Sequence, residues 1–405
     1  MNIRVKVGEF RIEPHIRRAV ERVLESGRIS EGGETRDFET AFANYVGMKH
    51  AVAVNSGTSA LIAGLMAMKS KGSAAKTPMA VMTSPLTYIA TVNSIVIAGM
   101  KPVFADVDPD TFCISVDAIE ERLESKDASN VDMLLPVHLM GYVCDMNGIN
   151  RIAKKHGLQV FEDSSQAHGS TYNGRRAGSM SDASSFSFYI AHNIQAGELG
   201  AFLTNNIEIA RRVRKIKANG RLCDCVRCTR SEGKCPKFNK KKGGLDPRFL
   251  HDEIGFNFKT MEFPAAIARA QIEIADQIAE KRRRNVRMLN DLLEKHSDVL
   301  RLPAYSNDVS YLGYPLVIKD GKRINRERLQ VQLEANGVET RPLFGCIPIH
   351  QPAYAHLRKQ YRGKLKNAEF LGRNGMYIGC HQYLTEEDLR FVADAFDKSL
   401  HELGV

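Results

Sequence analysis

Five apolar runs of strand length, at residues 51–55, 79–83, 102–107, 133–138 and 158–163, alternate with stretches of helical periodicity at 59–71, 89–98, 116–125 and 149–156. This rhythm predicts an α/β domain built on a mostly parallel sheet. The runs are rich in Val, Ala, Leu and Ile with little polar alternation, as strands covered on both faces require. Beyond residue 200 the pattern changes. Residues 207–217 read as a basic helix, 221–244 as an irregular insertion rich in Cys and Lys, and 260–296 as a long helical region with a bend. A short strand (312–318) and helices (325–335, 386–403) then predict a smaller α+β unit. The expected division is a large domain over 1–270 that carries the 221–244 insertion, followed by a connecting helix and small domain over 271–405.

Charge and cysteine usage narrow the function classes. The 405 residues carry a formal net charge of +10. Part of it is concentrated at Lys234, Lys237, Lys240, Lys241 and Lys242, with no acid among them. Such an excess suits nucleic acid, a phosphorylated ligand or an acidic protein partner. No nucleic-acid motif accompanies it, no apolar run is long enough to span a bilayer, and residues 1–9 lack a signal-peptide core. The expectation is a cytoplasmic protein that engages neither nucleic acid nor membrane. Of eight cysteines, Cys113, Cys144, Cys346 and Cys380 are isolated, whereas Cys223, Cys225, Cys228 and Cys235 fall within thirteen residues. In a reducing compartment such a group points to a metal or cluster more than to disulfides.

Three motifs carry chemistry. Asn55-Ser56-Gly57-Thr58-Ser59-Ala60 follows a strand and opens a helix. Free N–H groups at that helix end, approached closely through Gly57, suit a phosphate, although small residues there also serve packing. Asp163 closes an apolar strand in Phe161-Glu162-Asp163-Ser164-Ser165-Gln166-Ala167-His168-Gly169. A carboxylate at that edge can pair with a pyridinium nitrogen, or simply cap a helix. The third motif runs from Ser184 to Ala201 and contains Ser185-Phe186-Ser187-Phe188, His192 and Gly197-Glu198-Leu199-Gly200.

This last segment resembles the active-site signature of the DegT/DnrJ/StrS sugar aminotransferases, with His192 at the position of their Schiff-base lysine. The other segments agree in order, and the resemblance runs from about Phe10 to Phe396. It implies the PLP-dependent transferase fold-type I: a large domain with a mostly parallel seven-stranded sheet plus a smaller α+β C-terminal domain. It further implies that Ser187 and the Gly57–Thr58 backbone hold the phosphate of PLP or PMP, that Ser59 belongs to the same cofactor-binding set, and that Tyr88 stacks on the ring. By the same resemblance Asp163 meets the ring nitrogen and Gln166 the phenolic oxygen. Asn219 is implied to serve the neighbouring subunit of a homodimer. Residues Phe344 to Tyr354 resemble a segment near the sugar in the family, and Cys346 and His350 within it, with Arg341 just before it, are candidate substrate-pocket residues.

Imidazole forms no stable Schiff base with PLP but can act as a base near neutral pH. The resemblance is then to the branch that keeps histidine there: 3-dehydratases of nucleotide-linked 4-keto-6-deoxyhexoses, which use noncovalent PMP. The implied activity is dehydration, with a PLP-dependent aminotransferase, a glutamate-recycled dehydratase and a non-catalytic cofactor-binding protein as alternatives. One part of that branch has a Cys-rich insertion at the place of 221–244, contributing to an iron–sulfur cluster. Cys223, Cys225, Cys228 and Cys235 are accordingly expected to carry such a cluster, or else zinc, since thiolates suit both. The neighbouring lysines suggest a ferredoxin or reductase as electron donor.

Overall fold

A computed structural model describes residues 3–69, 79–125, 130–223, 225, 235, 245–246 and 248–405. The apolar runs become β1 (His50–Val54), β2 (Ala80–Thr83), β3 (Lys101–Phe104), β4 (Val131–Leu135) and β5 (Gln159–Asp163). A small hairpin, β6 (Thr171–Tyr172) and β7 (Arg175–Arg176), follows. β8 (Ala183–Ser187) and β9 (Gly200–Thr204) then complete the large sheet. Its order is β1-β9-β8-β5-β4-β2-β3. β9 runs antiparallel to both neighbours, and the remaining pairs are parallel. This is the expected mostly parallel seven-stranded sheet. Its strands are almost wholly buried because helices lie on both faces.

Those helices are α1 (Pro14–Ser26), α2 (Gly33–Val46), α3 (Gly57–Met68), α4 (Ile89–Ile97), α5 (Val116–Glu124), α6 (Met146–His156) and α7 (Ile207–Ile216). α3 is apolar on every side because it is buried between the sheet, α4 and α7. α6 shows the opposite design, with Ile149, Ile152 and Ala153 inward and Lys154 and Lys155 in the last turn. The long helical region is two helices, α8 (Glu262–Ile272) and α9 (Ala275–Leu293). They are separated at Ile274, whose φ of −115° leaves the helical range.

The second sheet is antiparallel and four-stranded: β10 (Leu300–Arg301), β11 (Tyr314–Ile318), β12 (Thr340–Pro342) and β13 (Gly375–Ile378), in the order β10-β11-β13-β12. Helices α10 (Arg326–Ala335), α11 (Arg358–Tyr361), α12 (Lys366–Asn374) and α13 (Glu386–Glu402) complete this smaller unit. Thr385 and Asp388 form a reciprocal capping box at the start of α13. Residues near the N-terminus join this unit rather than the large sheet. Val5 bridges Val338 in parallel, and the Val7 amide donates to Glu339 Oε2 at 2.8 Å. One hydrophobic cluster runs from Val103 and Val107 through Leu289 to Leu389, so the core is continuous across residue 270. Among the described residues no helix is long and apolar enough to cross a membrane.

Candidate active site

A cavity of about 480 Å³ opens where β5 and β8 end and α3 and α4 begin. Ligands of α/β folds bind at this carboxyl edge of the strands. Gly57, Thr58, Tyr88, Asp163, Gln166, Ser187 and His192 all line it. Residues scattered over more than a hundred positions of sequence are thus gathered into one site.

The phosphate-type cradle is built by close packing. Ser56 caps α3, accepting from the Ser59 amide at 3.1 Å. A Cβ added to Gly57 would lie 2.6 Å from Ser187 Cβ, and one on Gly200 would lie 2.2 Å from the Ser56 carbonyl oxygen. Only glycine lets the strand ends and the helix start meet this closely. The Ser187 side chain therefore stands beside the open N–H groups of a twelve-residue helix, a place that suits an anion. Ser59 is not at the cavity wall; its hydroxyl donates to Asn55 Oδ1 at 2.6 Å within the turn.

Asp163 is 5% exposed and well supplied with donors. Its Oδ2 accepts from Thr91 Oγ1 at 2.8 Å, and its Oδ1 from the Ser165 hydroxyl at 2.7 Å and amide at 3.2 Å. Gln166 accepts from the Met140 amide through Oε1 at 3.0 Å, which leaves its Nε2 hydrogens as the free donors of a cavity-lining side chain. Tyr88 is 58% exposed at the mouth, its ring 6.1 Å from that of Phe344.

His192 belongs to a turn closed by its own amide on the Tyr189 carbonyl at 2.9 Å. Its ring lies 6.1 Å from His168, which is packed among Phe42, Phe186 and Phe188. Nδ1 of His192 is buried without a partner. Burial, reinforced by the Arg282 guanidinium, pushes the imidazole down to about 3. The ring is therefore held neutral, its protonated form disfavoured by burial and by the nearby guanidinium. Arg282 is itself buried and donates to the carbonyls of Tyr311 (3.1 Å) and Leu312 (2.8 Å) and to Gln382 Oε1 (3.3 Å). Among the described residues no carboxylate forms an ion pair with it; the oxygens that accept from it are carbonyl and amide oxygens. No lysine lines the cavity among the described residues.

Other sequence candidates lie elsewhere. Arg341 is exposed on β12 and paired with Glu339. Cys346 is buried behind the wall, with burial raising its thiol to about 12. His350 accepts from the Cys346 amide at 3.1 Å and faces a different surface recess. From that segment Phe344 reaches the cavity instead, turned inward by a φ of 45°. Leu199 is buried in a hydrophobic cluster away from the cavity. Asn219 adopts a left-handed φ of 62° in a turn and does not line this cavity. Cys223 and Cys225 border a separate recess of about 550 Å³ with Arg28, Arg36, Arg221 and Lys259. Cys228 and the five lysines from Lys234 to Lys242 lie outside the described residues, and Cys235 is half-buried. Among the described residues no group of three or more His, Cys, Asp or Glu is arranged to hold a metal ion. Sequence reasoning did not single out Thr87 and Thr91, although they flank Tyr88 in the segment that resembles the family, and it missed Leu312 and Tyr377 at the wall and Arg282 behind it, which packing brings to the site.

Residues 11–397 match the DegT/DnrJ/EryC1/StrS aminotransferase family, and the chain belongs to that family. It is 33% identical over 403 residues to the GDP-perosamine synthase of Caulobacter vibrioides, covering 98% of each chain. It is 32% identical to the dTDP-4-dehydro-2,6-dideoxy-D-glucose 3-dehydratase of Saccharopolyspora spinosa, covering 93% of this chain and 82% of that one. The structure of E. coli GDP-4-keto-6-deoxy-D-mannose-3-dehydratase with bound hydrated PLP superposes with a TM-score of 0.83, at 24% identity over 98% of this chain and 100% of that one, a likeness of fold.

Proposed function

We propose that this chain is a PMP-dependent 3-dehydratase of a nucleotide-linked 4-keto-6-deoxy sugar. The observation that carries the proposal is His192: a neutral imidazole at the cavity wall, where no lysine is available among the described residues. The donor set fits the cofactor, with an anion cradle at Gly57, a carboxylate at Asp163 and an amide donor at Gln166. Bound there, PMP supplies an amine that condenses with the sugar ketone and a ring that accepts electrons. The Gly57 and Thr58 amides and the Ser187 hydroxyl would hold the phosphate. Asp163 would hold a proton on the ring nitrogen, Gln166 Nε2 would donate to the phenolic oxygen, and the Tyr88 ring would cover one face. With Nδ1 buried, Nε2 of His192 is the nitrogen that takes the proton whose removal precedes loss of the neighbouring hydroxyl.

The test is incubation of the protein with PMP and GDP-, CDP- or dTDP-linked 4-keto-6-deoxy sugars, with products read by mass. Loss of water that disappears in His192→Asn supports the reading. An aminated product in the presence of glutamate makes the chain an aminotransferase. A His192→Lys variant is expected to bond PLP covalently, trapped by borohydride, and to lose dehydration. Full dehydration by that variant removes His192 from the role of base.

We further propose that Cys223, Cys225, Cys228 and Cys235 hold an iron–sulfur cluster that makes the reaction a reductive 3-deoxygenation, fed by a ferredoxin or reductase. Support comes from the four thiols within thirteen residues and from the shared recess of Cys223 and Cys225. Iron with acid-labile sulfide in anaerobically purified protein is the expected result. Zinc without sulfide makes the segment structural and favours a glutamate-recycled dehydratase. We also propose a homodimer in which Asn219 completes the neighbouring copy's phosphate site. The exposed Leu245 (75%), Phe249 (74%) and Ile254 (83%) nearby support this reading, and the mass in solution tests it.

A further inference from the structure

Asp163 is aimed by a hydrogen-bond chain whose direction can be read from valence alone. Thr87 Oγ1 and Thr91 Oγ1 lie 2.9 Å apart, and Thr91 Oγ1 lies 2.8 Å from Asp163 Oδ2. A carboxylate only accepts, so Thr91 spends its single hydroxyl hydrogen on Asp163. Its oxygen must then accept from Thr87, whose own hydrogen is spent in turn. Thr87 and Thr91 are buried, so water does not compete for these hydrogens. On the other carboxylate oxygen, Ser165 donates twice. Asp163 is thereby held from both sides, with its remaining lone pairs toward the cavity that Thr87, Thr91 and Ser165 also line.

We propose that Thr91 is a positioning residue that fixes the rotamer and acceptor direction of Asp163, so that the carboxylate presents a preset lone pair to a protonated ring nitrogen. This rests on the reading of the cavity as a PMP site. The location of Thr91 supports the role. It stands in the first turn of α4, its amide held by the Tyr88 carbonyl at 3.2 Å, so the element that carries the ring-covering Tyr88 also sets the carboxylate. Ring face and ring nitrogen are then aligned by one helix start.

The experiment uses the full chain loaded with PMP labelled with 15N in the ring. It reads PMP affinity and, by NMR, the pH at which the ring nitrogen loses its proton. Thr91→Val is expected to weaken PMP binding about tenfold, as loss of a donor to a charged group does. It is also expected to move ring deprotonation to lower pH. Thr91→Ser keeps the hydroxyl and is expected to restore both. Thr87→Val leaves Thr91 its hydrogen for Asp163, so the ring titration stays in place. Wild-type affinity and an unmoved titration in Thr91→Val overturn the proposal, as does a Thr87→Val shift equal to that of Thr91→Val, since the effect would then not depend on the hydrogen that Thr91 gives Asp163. Should Thr91→Val fail to fold, Ser165→Ala must lower the ring titration while Thr91→Ser does not; identical titrations in both overturn it. Failure of wild-type protein to bind PMP brings down the cofactor reading and this inference together, whereas binding that ignores Thr91 brings down this inference alone.

Discussion

Gly57 and Ser187 touch: a Cβ on the glycine would sit 2.6 Å from that of the serine, joining the end of β8 to the start of α3. Gly57→Ala forces the two apart. The expected cost is about 1–3 kcal/mol of stability, as for overpacking, with a loss of PMP affinity of about tenfold or more as the cradle opens. Fluorescence titration with PMP and thermal melts check both. A Gly57→Ala/Ser187→Gly double variant should recover stability but not affinity, because the space returns while the hydroxyl does not.

Three buried histidines make stability sensitive to acid. His192 is pushed down to about 3 and His381 to about 4, and His168 well below its ordinary value, burial being the first cause in each. A depressed folded-state value means the unfolded chain binds these protons first. The contribution is full above pH 6.5 and is lost as pH falls toward the folded values. For His192 alone the loss between pH 7 and pH 5 is about 2 kcal/mol. Urea midpoints at the two pH values should converge in His192→Asn relative to wild type. A pH dependence unchanged by the substitution would refute the assignment.

His138 and Glu162 form a fully buried pair at 2.9 Å. The Cys144 amide donates to Nδ1 of His138, so the ring carries its hydrogen on Nε2 and donates it to Glu162. Glu162 also accepts from the Gly178 and Met180 amides and the Ser181 hydroxyl, which, with His138, hold its carboxyl below the usual range despite burial. His138→Ala removes one of four donors to that buried charge and is expected to destabilise by about 1–3 kcal/mol. Calorimetry reads this directly. Since β5 carries both Glu162 and Asp163, PMP affinity should fall alongside.

Tyr88 offers the opposite case. It is more than half exposed, so Tyr88→Ala should leave the melting temperature nearly unchanged. Under the proposed role of Tyr88, loss of its ring should nonetheless weaken PMP by about fivefold, within the range of aromatic pairs. Tyr88→Phe should retain wild-type affinity.

The strands and helices of the large domain were legible because their burial is two-sided and periodic: β5 (Gln159–Asp163) and α4 (Ile89–Ile97) fall within a residue or two of the runs read from sequence. The gathering of Gly57, Asp163, Gln166 and Ser187 was legible through a family signature rather than through any local rule. What escaped depends on side-chain direction. Along 341–350, sequence reading selected Arg341, Cys346 and His350 for their chemistry. One step along a strand or turn changes the face, and Phe344 alone reaches the cavity. Arg282 occupies the buried stripe of an amphipathic helix, four residues from Ile278 and from Val286, but its charge marks it as surface by residue type; the carbonyls of Tyr311 and Leu312 accept its hydrogens there.

The bridge between Val5 and Val338 has a consequence in time. The Val7 amide finds its acceptor on Glu339, 332 residues later. At a synthesis rate of about ten residues per second, residues 4–7 wait on the order of half a minute before their partners exist. The large sheet can close meanwhile, since all its strands precede residue 205. The smaller unit is thus closed by residues made well before their partners. Folding around the two sheets should be ordered, with the candidate cavity walled on one side before Leu312 and Phe344 arrive to form the other.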